Sequence, residues 1–319
     1  MHWFAETRDN YCPLWFDAME KAFPERWRVF SREISGATLV KRDLTPDRVA
    51  VIISGGGSNG PFIPGFVGEG LADACVVGSP NAAPNAFALY DVARVLGREK
   101  GVLLMYNNFM GDYLNNDMAA EMLALEGVRV EQLACCDDMG MARGEPKENR
   151  GGRTAIAFLI KIAAAAAKEG KSLEEVRRLV NKAHARSSSL CVSVDPQKSQ
   201  VIYGQGFSGE PGFKCCEKAT VQSTAEETIQ MLVEDVIPQQ NERVHILINR
   251  LRMTSYSDCY VMAGYMRNAL SKLYPVGKMS VGSYSMITDF YGYVVTLLCA
   301  DLEIEHYLEE TVCGDGFLL

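Results

Sequence analysis

The chain has 319 residues, 48% of them apolar and 23% charged, a composition typical of a globular protein of about two domains. Its net charge of -8 argues against a nucleic-acid partner, which needs a basic face, and against binding to an anionic membrane surface. No apolar run reaches the roughly 20 residues that span a bilayer, and the N-terminus lacks the features of a signal peptide, so a cytoplasmic protein is expected.

The ten cysteines include two adjacent pairs, Cys135-Cys136 and Cys215-Cys216. No Cys-x-x-Cys spacing and no Cys/His ladder is present, so a zinc site is not expected. In a reducing cytoplasm the cysteines are predicted to be small buried hydrophobic residues. A reactive or metal-binding thiol is the alternative.

The first 135 residues alternate predicted strands and helices. Residues 1–35 are predicted to form a helical lead-in. Apolar runs predict strands over 49–53, 74–77, 101–106 and 128–134, and a helix is predicted over 115–124. This alternation predicts a parallel or mostly parallel α/β sheet.

The remainder of the chain begins with a polar loop over 137–152. An alanine-rich helix over 154–169 is expected in the core or at an interface, and a helix with a capping box at Ser172 runs to about residue 185. Further strands are predicted over 190–194, 201–203, 244–248, 278–282 and 293–299, with helices from Thr224 and over 258–273. The predicted fold is α/β with two domains, 1–185 and 186–319, built on mostly parallel or mixed sheets flanked by helices.

The first candidate site is a glycine-rich loop after the strand at 49–53. It reads Ser54-Gly55-Gly56-Gly57-Ser58-Asn59-Gly60-Pro61. Glycines permit a positive φ and a close approach to a ligand, and their N–H groups can bind oxygens of a phosphate or polyol. The loop lacks the Gly-Lys-Ser/Thr of a P-loop, and its proline interrupts the helix that a Rossmann fingerprint needs. A tight surface turn is the alternative.

The second candidate, Asn107 to Asn115, also follows a predicted strand. Loops after parallel strands lie at one edge of the sheet, where ligands bind, so the two loops are expected to face one crevice. Asp112 is the only acid of this loop, and its carboxylate can accept a proton from a substrate hydroxyl. In the alternative, Asp112 is a helix N-cap or a turn former.

Other polar residues give weaker signals. A third glycine-rich loop, 204–212, contains Ser208 and Gly209, with an irregular connection as the alternative. Asp137-Asp138 can line the crevice, but a solvated pair is the favoured interpretation. The histidines lie outside the glycine-rich loops and are expected to be structural or exposed: His2, His184, His245 and His306.

No segment has the pattern of a nucleotide-phosphate loop, a kinase signature or a magnesium-binding carboxylate cluster. If the crevice binds a hydroxylated substrate for phosphorylation, the phosphoryl donor is therefore expected on another chain.

The chain resembles the substrate-binding subunit of dihydroxyacetone kinases over about residues 45–300. Each matching segment is weak alone, but their order and spacing together are specific. The segments are Ile53-Ser54-Gly55-Gly56-Gly57-Ser58, Gly65-Phe66-Val67-Gly68-Glu69-Gly70-Leu71, Gly101-Val102-Leu103-Leu104, Gly111-Asp112-Tyr113-Leu114-Asn115, Ala163-Ala164-Ala165 and Gly209-Glu210-Pro211-Gly212.

The resemblance implies a homodimer of two α/β domains and a small triose or tetrose ketose or polyol as substrate. It implies that Asp112 is the general base and that this chain binds no cofactor, since a nucleotide-binding partner subunit carries ATP or ADP with Mg²⁺. The expected substrate-binding residues are Gly56, Gly57, Ser58, Asn59, Asn107, Ser208 and Gly209.

The chain departs from the family's pattern at two histidines. Asn59 stands where the family usually has a histidine that hydrogen-bonds substrate, in a loop one residue shorter than usual. Ser208 stands where the family usually has a histidine that forms a covalent hemiaminal with the substrate carbonyl. A serine hydroxyl cannot form a hemiaminal and is a poor nucleophile unless activated, so non-covalent binding is expected.

Two functions are consistent with the sequence. In the first, the chain binds substrate for a dihydroxyacetone-kinase-like phosphotransferase, and Asp112 takes the proton of the attacking hydroxyl. In the second, it is a catalytically inactive homologue that senses a metabolite and acts through a protein partner. The presence of Asp112 argues against the second, because a sensor has less need of a base. A sugar-binding protein with another chemistry is a third possibility.

Overall fold

The computed structural model describes residues 10–45, 47–57, 63–97, 99–195, 197–206, 210–285, 290–310 and 312. The described chain forms two six-stranded sheets flanked by helices, as the sequence predicts for an α/β protein. It divides into two compact units. The first comprises Met1–Ala134, Leu159–Asn181 and Tyr307–Leu319, and the second comprises Cys135–Phe158 and Lys182–His306.

The N-terminal part of the chain builds the first sheet. Its elements are α1 (Tyr11–Ala22), β1 (Trp27–Ser31), β2 (Ala37–Lys41), β3 (Ala50–Gly55), β4 (Ala74–Val77), α2 (Ala86–Leu96), β5 (Val102–Asn107), α3 (Met110–Leu125) and β6 (Val130–Cys135). The strand order is β1-β2-β4-β3-β5-β6. Strands β4, β3 and β5 are parallel, whereas β2 is antiparallel to both β1 and β4.

The central strands of this sheet are buried on both faces. Every residue of β3, β4 and β5 is buried, which is the usual state of parallel strands covered by helices. Because the three strands run parallel, their carboxyl ends lie at one edge of the sheet, and the loops that follow them lie together there.

The rest of the chain supplies two core helices and the second sheet. Its elements are α4 (Ala155–Lys168), α5 (Leu173–Ala185), β7 (Ser187–Asp195), β8 (Gln200–Gln205), β9 (Pro211–Glu217), α6 (Val221–Val236), β10 (Arg243–Arg250), α7 (Tyr256–Ser271), β11 (Val276–Gly282), β12 (Tyr291–Ala300) and α8 (Leu302–Leu308). The strand order is β11-β10-β12-β7-β8-β9. Only β10 and β11 are parallel, and the other described pairs are antiparallel.

The alanine-rich helix is a core element, as expected. Every residue of α4 from Ala155 to Ala167 is buried, including Lys161, so the helix is covered around its whole circumference. The helix that follows starts where the sequence predicts, because the Glu175 N–H donates to Ser172 Oγ (3.3 Å).

Several element boundaries differ from the prediction, and β1 and α6 are two examples. Residues 27–31, predicted to be helical, form β1. Helix α6 begins at Val221 rather than after Thr224, because Thr220 and Ser223 form the capping box. The Ser223 N–H donates to Thr220 Oγ1 (3.1 Å), and the Thr220 N–H donates to Ser223 Oγ (2.9 Å).

The compact units are not contiguous in sequence. Residues 135–158, which the sequence analysis places in the first domain, group with the second unit, and the chain from Tyr307 onward groups with the first. The domain boundary at residue 185 stays a prediction.

Candidate functional site

The glycine-rich loop after β3 packs against the loop after β4. The Gly78 N–H donates to the Gly55 carbonyl (3.1 Å), and the Gly57 N–H donates to the Ser79 carbonyl (3.4 Å). Both loops lie at the carboxyl edge of the first sheet. The loop after β4 was not identified from sequence, although its run of Gly, Ser, Pro and Asn after a strand is a turn signal.

The glycines of this loop are required for space and not for an unusual backbone conformation. None of Gly55, Gly56 and Gly57 has a positive φ. The prediction that these glycines allow a positive φ in the loop is therefore wrong. A Cβ on Gly55 would lie 2.8 Å from Ile63 Cδ1, and one on Gly57 would lie 2.6 Å from the Gly78 carbonyl oxygen. The loop therefore packs too closely to accept side chains.

Asp112 lies in the first turn of α3, beside the glycine-rich loop. The N-cap of α3 is Phe109, so the alternative interpretation of Asp112 as an N-cap is wrong. A Cβ on Gly55 would lie 3.9 Å from Asp112 Oδ1, so the structure brings the first two candidate loops together. Gly111 also lies close to the loop after β4, where its Cβ would be 3.3 Å from Ala83 Cβ.

The Asp112 carboxyl is buried without a full set of partners. It is 8% exposed, and Oδ1 has no hydrogen-bond partner among the described residues. Burial raises the pKa of Asp112 to about 7, although a hydrogen bond from its own backbone opposes the shift. The positive end of the α3 dipole also favours the anion, but it does not offset the loss of solvation.

Asn107 supplies a second buried acceptor at the end of β5. It is 6% exposed, and its Oδ1 also has no hydrogen-bond partner within the described chain. Amide and carboxylate oxygens in this state can accept hydrogen bonds from ligand hydroxyls.

A polar contact between β3 and α3 supports this arrangement. Asn116 Nδ2 donates to Ser54 Oγ (3.0 Å) and to the Asp112 carbonyl (2.8 Å). Asn116 is not among the site residues that the sequence predicts. Its position four residues after Asp112, on the same side of a helix, is the signal that could have identified it.

Four of the predicted binding residues lie outside the described residues: Ser58, Asn59, Ser208 and Gly209. The third glycine-rich loop is closed at its base, where the Gly206 N–H donates to the Glu210 carbonyl (3.0 Å).

Within the described ranges, no group of three or more His, Cys, Asp or Glu side chains is arranged to hold a metal ion. The helices described also include none long and apolar enough to cross a membrane.

Asp137 and Asp138 are fully buried in the second unit, so their interpretation as a solvated pair is wrong. Asp137 accepts from the Arg153 N–H (2.6 Å), the Ala155 N–H (2.9 Å) and Ser189 Oγ. Asp138 accepts from Arg153 Nε at 2.5 Å. The two acids thus hold the start of α4 and have a structural role.

Two of the histidines are structural, as expected. The Cys136 N–H donates to His184 Nε2 (2.8 Å), and His245 Nε2 lies 2.5 Å from Glu305 Oε1. Burial lowers the pKa of His184 to about 4, so this ring is neutral near pH 7.

A buried acid with a raised pKa, beside a glycine-rich loop at the carboxyl edge of an α/β sheet, is an arrangement suited to small-molecule chemistry. The chain belongs to the Dak1 domain family, which matches residues 22–314. It is 32% identical over 294 residues to the dihydroxyacetone-binding subunit DhaK of the PTS-dependent dihydroxyacetone kinase 2 of Listeria innocua, with 88% of each chain covered.

Two further comparisons define the extent of the similarity. A D-erythrulose kinase of Mycolicibacterium smegmatis is 29% identical over 288 residues, which cover 86% of this chain but 50% of that protein. A structure described under the regulation of the dha operon of Lactococcus lactis superposes with a TM-score of 0.90 at 23% identity, covering 99% of this chain and 98% of that one. The family resemblance and the two-part α/β fold are thereby confirmed.

Proposed function

We propose that this chain is the substrate-binding component of a dihydroxyacetone-kinase-like phosphotransferase, which holds a triose or tetrose ketose or polyol without a covalent bond. The observation that carries the proposal is the pair of buried acceptors, Asp112 Oδ1 and Asn107 Oδ1, which lack partners in the described chain beside the glycine-rich loop. Leaving a buried acceptor unsatisfied costs about 1–3 kcal/mol. A ligand with several hydroxyl groups supplies the missing donors.

Asp112 has the properties of a general base in this proposal. With a pKa of about 7, it is partly ionised at neutral pH and can accept a proton as the substrate hydroxyl attacks the phosphoryl group. The Asn116 side chain, bonded to the Asp112 carbonyl and to Ser54, orients the first turn of α3. We further propose that Gly56, Gly57 and the loop residues Ser58, Asn59, Ser208 and Gly209 complete the binding site.

The phosphoryl donor is proposed to belong to a partner subunit that carries ATP or ADP with Mg²⁺. Two comparisons support this division of labour. The Listeria innocua relative is named as one subunit of a PTS-dependent kinase, and this chain spans half the length of the Mycolicibacterium smegmatis kinase. Homodimerisation, which the family resemblance implies, and a cytoplasmic location, which the sequence predicts, remain proposals.

Calorimetry and coupled phosphorylation assays with dihydroxyacetone, erythrulose and glycerol test the proposal. The wild type is expected to bind a ketose, and with a donor-bearing partner to phosphorylate it at a rate that rises with pH through about 7. Asp112→Asn is expected to retain binding while turnover falls by about 10²- to 10⁴-fold. Asp91→Asn removes an exposed carboxylate from α2 and serves as the control, with turnover unchanged.

The absence of both binding and turnover across this panel, with partner subunits present, would contradict the proposal. Ketose binding without turnover would instead identify the inactive, metabolite-sensing homologue. The residues that favour this alternative are Asn59 and Ser208, which replace the two family histidines.

A further inference from the structure

Helix α3 exposes a row of large apolar side chains to solvent. Met110, Leu114 and Met118 are spaced four residues apart and are 72%, 55% and 53% exposed, and Tyr113 beside them is 45% exposed. Side chains at this spacing form one ridge along a helix. Single exposed apolar residues are common, but a contiguous row is typical of a contact surface.

The row begins at the edge of the sheet where the candidate site lies. Met110 is the first residue of α3, and Asp112 lies in the same turn on the buried side of the helix. The first turn of α3 therefore forms part of the rim of the site. A specific interface covers about 800 Å² on each partner, so a protein that reaches Asp112 must also cover the rim and the helix surface next to it.

The charge of α3 restricts what can bind there. Outside its buried positions, α3 contains Asp117 and Glu121 but no Lys or Arg. A second copy docked through the same face would present the same acidic residues and no basic side chain from α3, because a two-fold interface joins identical patches. A partner with an apolar patch bordered by Lys and Arg fits this surface better.

We propose that the row Met110, Tyr113, Leu114 and Met118 is the docking surface for the donor-bearing partner, which presents an apolar patch with a basic border. This inference rests on the proposed function, because the partner has to approach Asp112 only if it delivers a phosphoryl group there.

The test compares glutamate substitutions in the row with one on another helix. Leu114→Glu combined with Met118→Glu places charge in the row, whereas Leu302→Glu changes a residue that is 86% exposed at the start of α8. All three positions are exposed, so the fold is expected to tolerate both sets of substitutions. Analytical ultracentrifugation in the presence of ADP and Mg²⁺ measures association with the remaining subunits of the Listeria innocua kinase. Calorimetry measures ketose binding.

The double variant is expected to weaken association by about tenfold or more, as for a buried interface residue, while ketose affinity is unchanged. Leu302→Glu is expected to behave as the wild type. The inference would be overturned if the wild type and the double variant associated equally well, or if the wild type did not associate at all. It would also be overturned if the double variant lost self-association. Association without phosphoryl transfer would refute the proposed function and leave the docking surface intact.

Discussion

Asp112 makes the stability of the protein depend on pH in an unusual direction for an acid. Its pKa is about 7 in the folded chain, whereas an unperturbed aspartate, as in the unfolded chain, has a pKa of 3.8. Between these two pH values the folded chain therefore holds a proton that the unfolded chain has lost. Stability contributed by this group is therefore greatest below about pH 4, falls as the pH rises to about 7 and is constant above that.

Asp112→Asn is expected to remove this penalty and raise the free energy of unfolding at pH 8. A difference of one in pKa corresponds to about 1.4 kcal/mol, so the free energy of unfolding should rise by a few kcal/mol at pH 8 and hardly change at pH 4. Urea denaturation across this pH range measures the difference. If the wild type and the variant differ by the same amount at both pH values, Asp112 does not have a raised pKa in the folded protein.

The buried pair Arg153–Asp138 permits a second test at the residue scale. Both side chains are 1% exposed, so Arg153→Leu leaves a buried carboxylate without its cation and is expected to cost roughly 3–5 kcal/mol. Combining it with Asp138→Asn should recover part of that loss. Arg177→Leu breaks a surface pair with Glu131, where Arg177 is 46% exposed, and is expected to cost about 0–1 kcal/mol. Equal losses by urea denaturation for the two arginines would contradict this account.

Elements with strong local patterns were predicted well from sequence, and those without them were not. Strands β3, β4 and β5 are apolar runs bounded by glycine or polar residues, and each was located to within a residue or two at its start. Helix α3 was predicted to begin at residue 115 rather than Met110, because its N-cap is Phe109, which provides no capping side chain. That error hid the helical position of Asp112. Helix α2 was also missed, although Asn85 caps it.

Two glycines in different elements are expected to respond oppositely to alanine. Gly264 lies within α7, and a Cβ there would meet nothing within 4 Å, so Gly264→Ala should stabilise the fold by about 1 kcal/mol through helix propensity. Gly57→Ala should destabilise it, because the new Cβ would lie 2.6 Å from the Gly78 carbonyl oxygen. Thermal unfolding measures both. A destabilised Gly264→Ala protein would show that this face of α7 is not open.

At the scale of the whole molecule, contacts between distant parts of the chain decide what the sequence could not. Asn116 bonds Ser54 across 62 positions, and Asp137 bonds Ser189 across 52. Local pattern carries no information about such pairs, so Asp137 looked like a solvated loop acid. The glycine-rich loop and Asp112 were identified because each follows a strand whose direction the pattern predicts, and the topology then brings them together.

The buried cysteines offer a way to follow the second compact unit as a whole. Cys191, Cys259 and Cys299 are at most 2% exposed and lie on β7, α7 and β12, whereas Cys215 is exposed on β9. Burial raises the pKa of Cys191 and Cys259 to about 11 and that of Cys299 to about 12. Because the thiolate is the reactive form, these three thiols are protected both by burial and by protonation.

Thiol labelling in increasing urea, resolved by peptide mass spectrometry, is therefore expected to modify Cys215 at once and the three buried thiols only on unfolding. Cys259 and Cys299 contribute to one hydrophobic core, and β7 pairs with β12, so the three should become reactive together. The matched control is Cys75, which is buried on β4 of the other unit and reports that unit separately. Labelling of Cys259 at lower urea than Cys299 would show that α7 opens from the sheet before the unit unfolds.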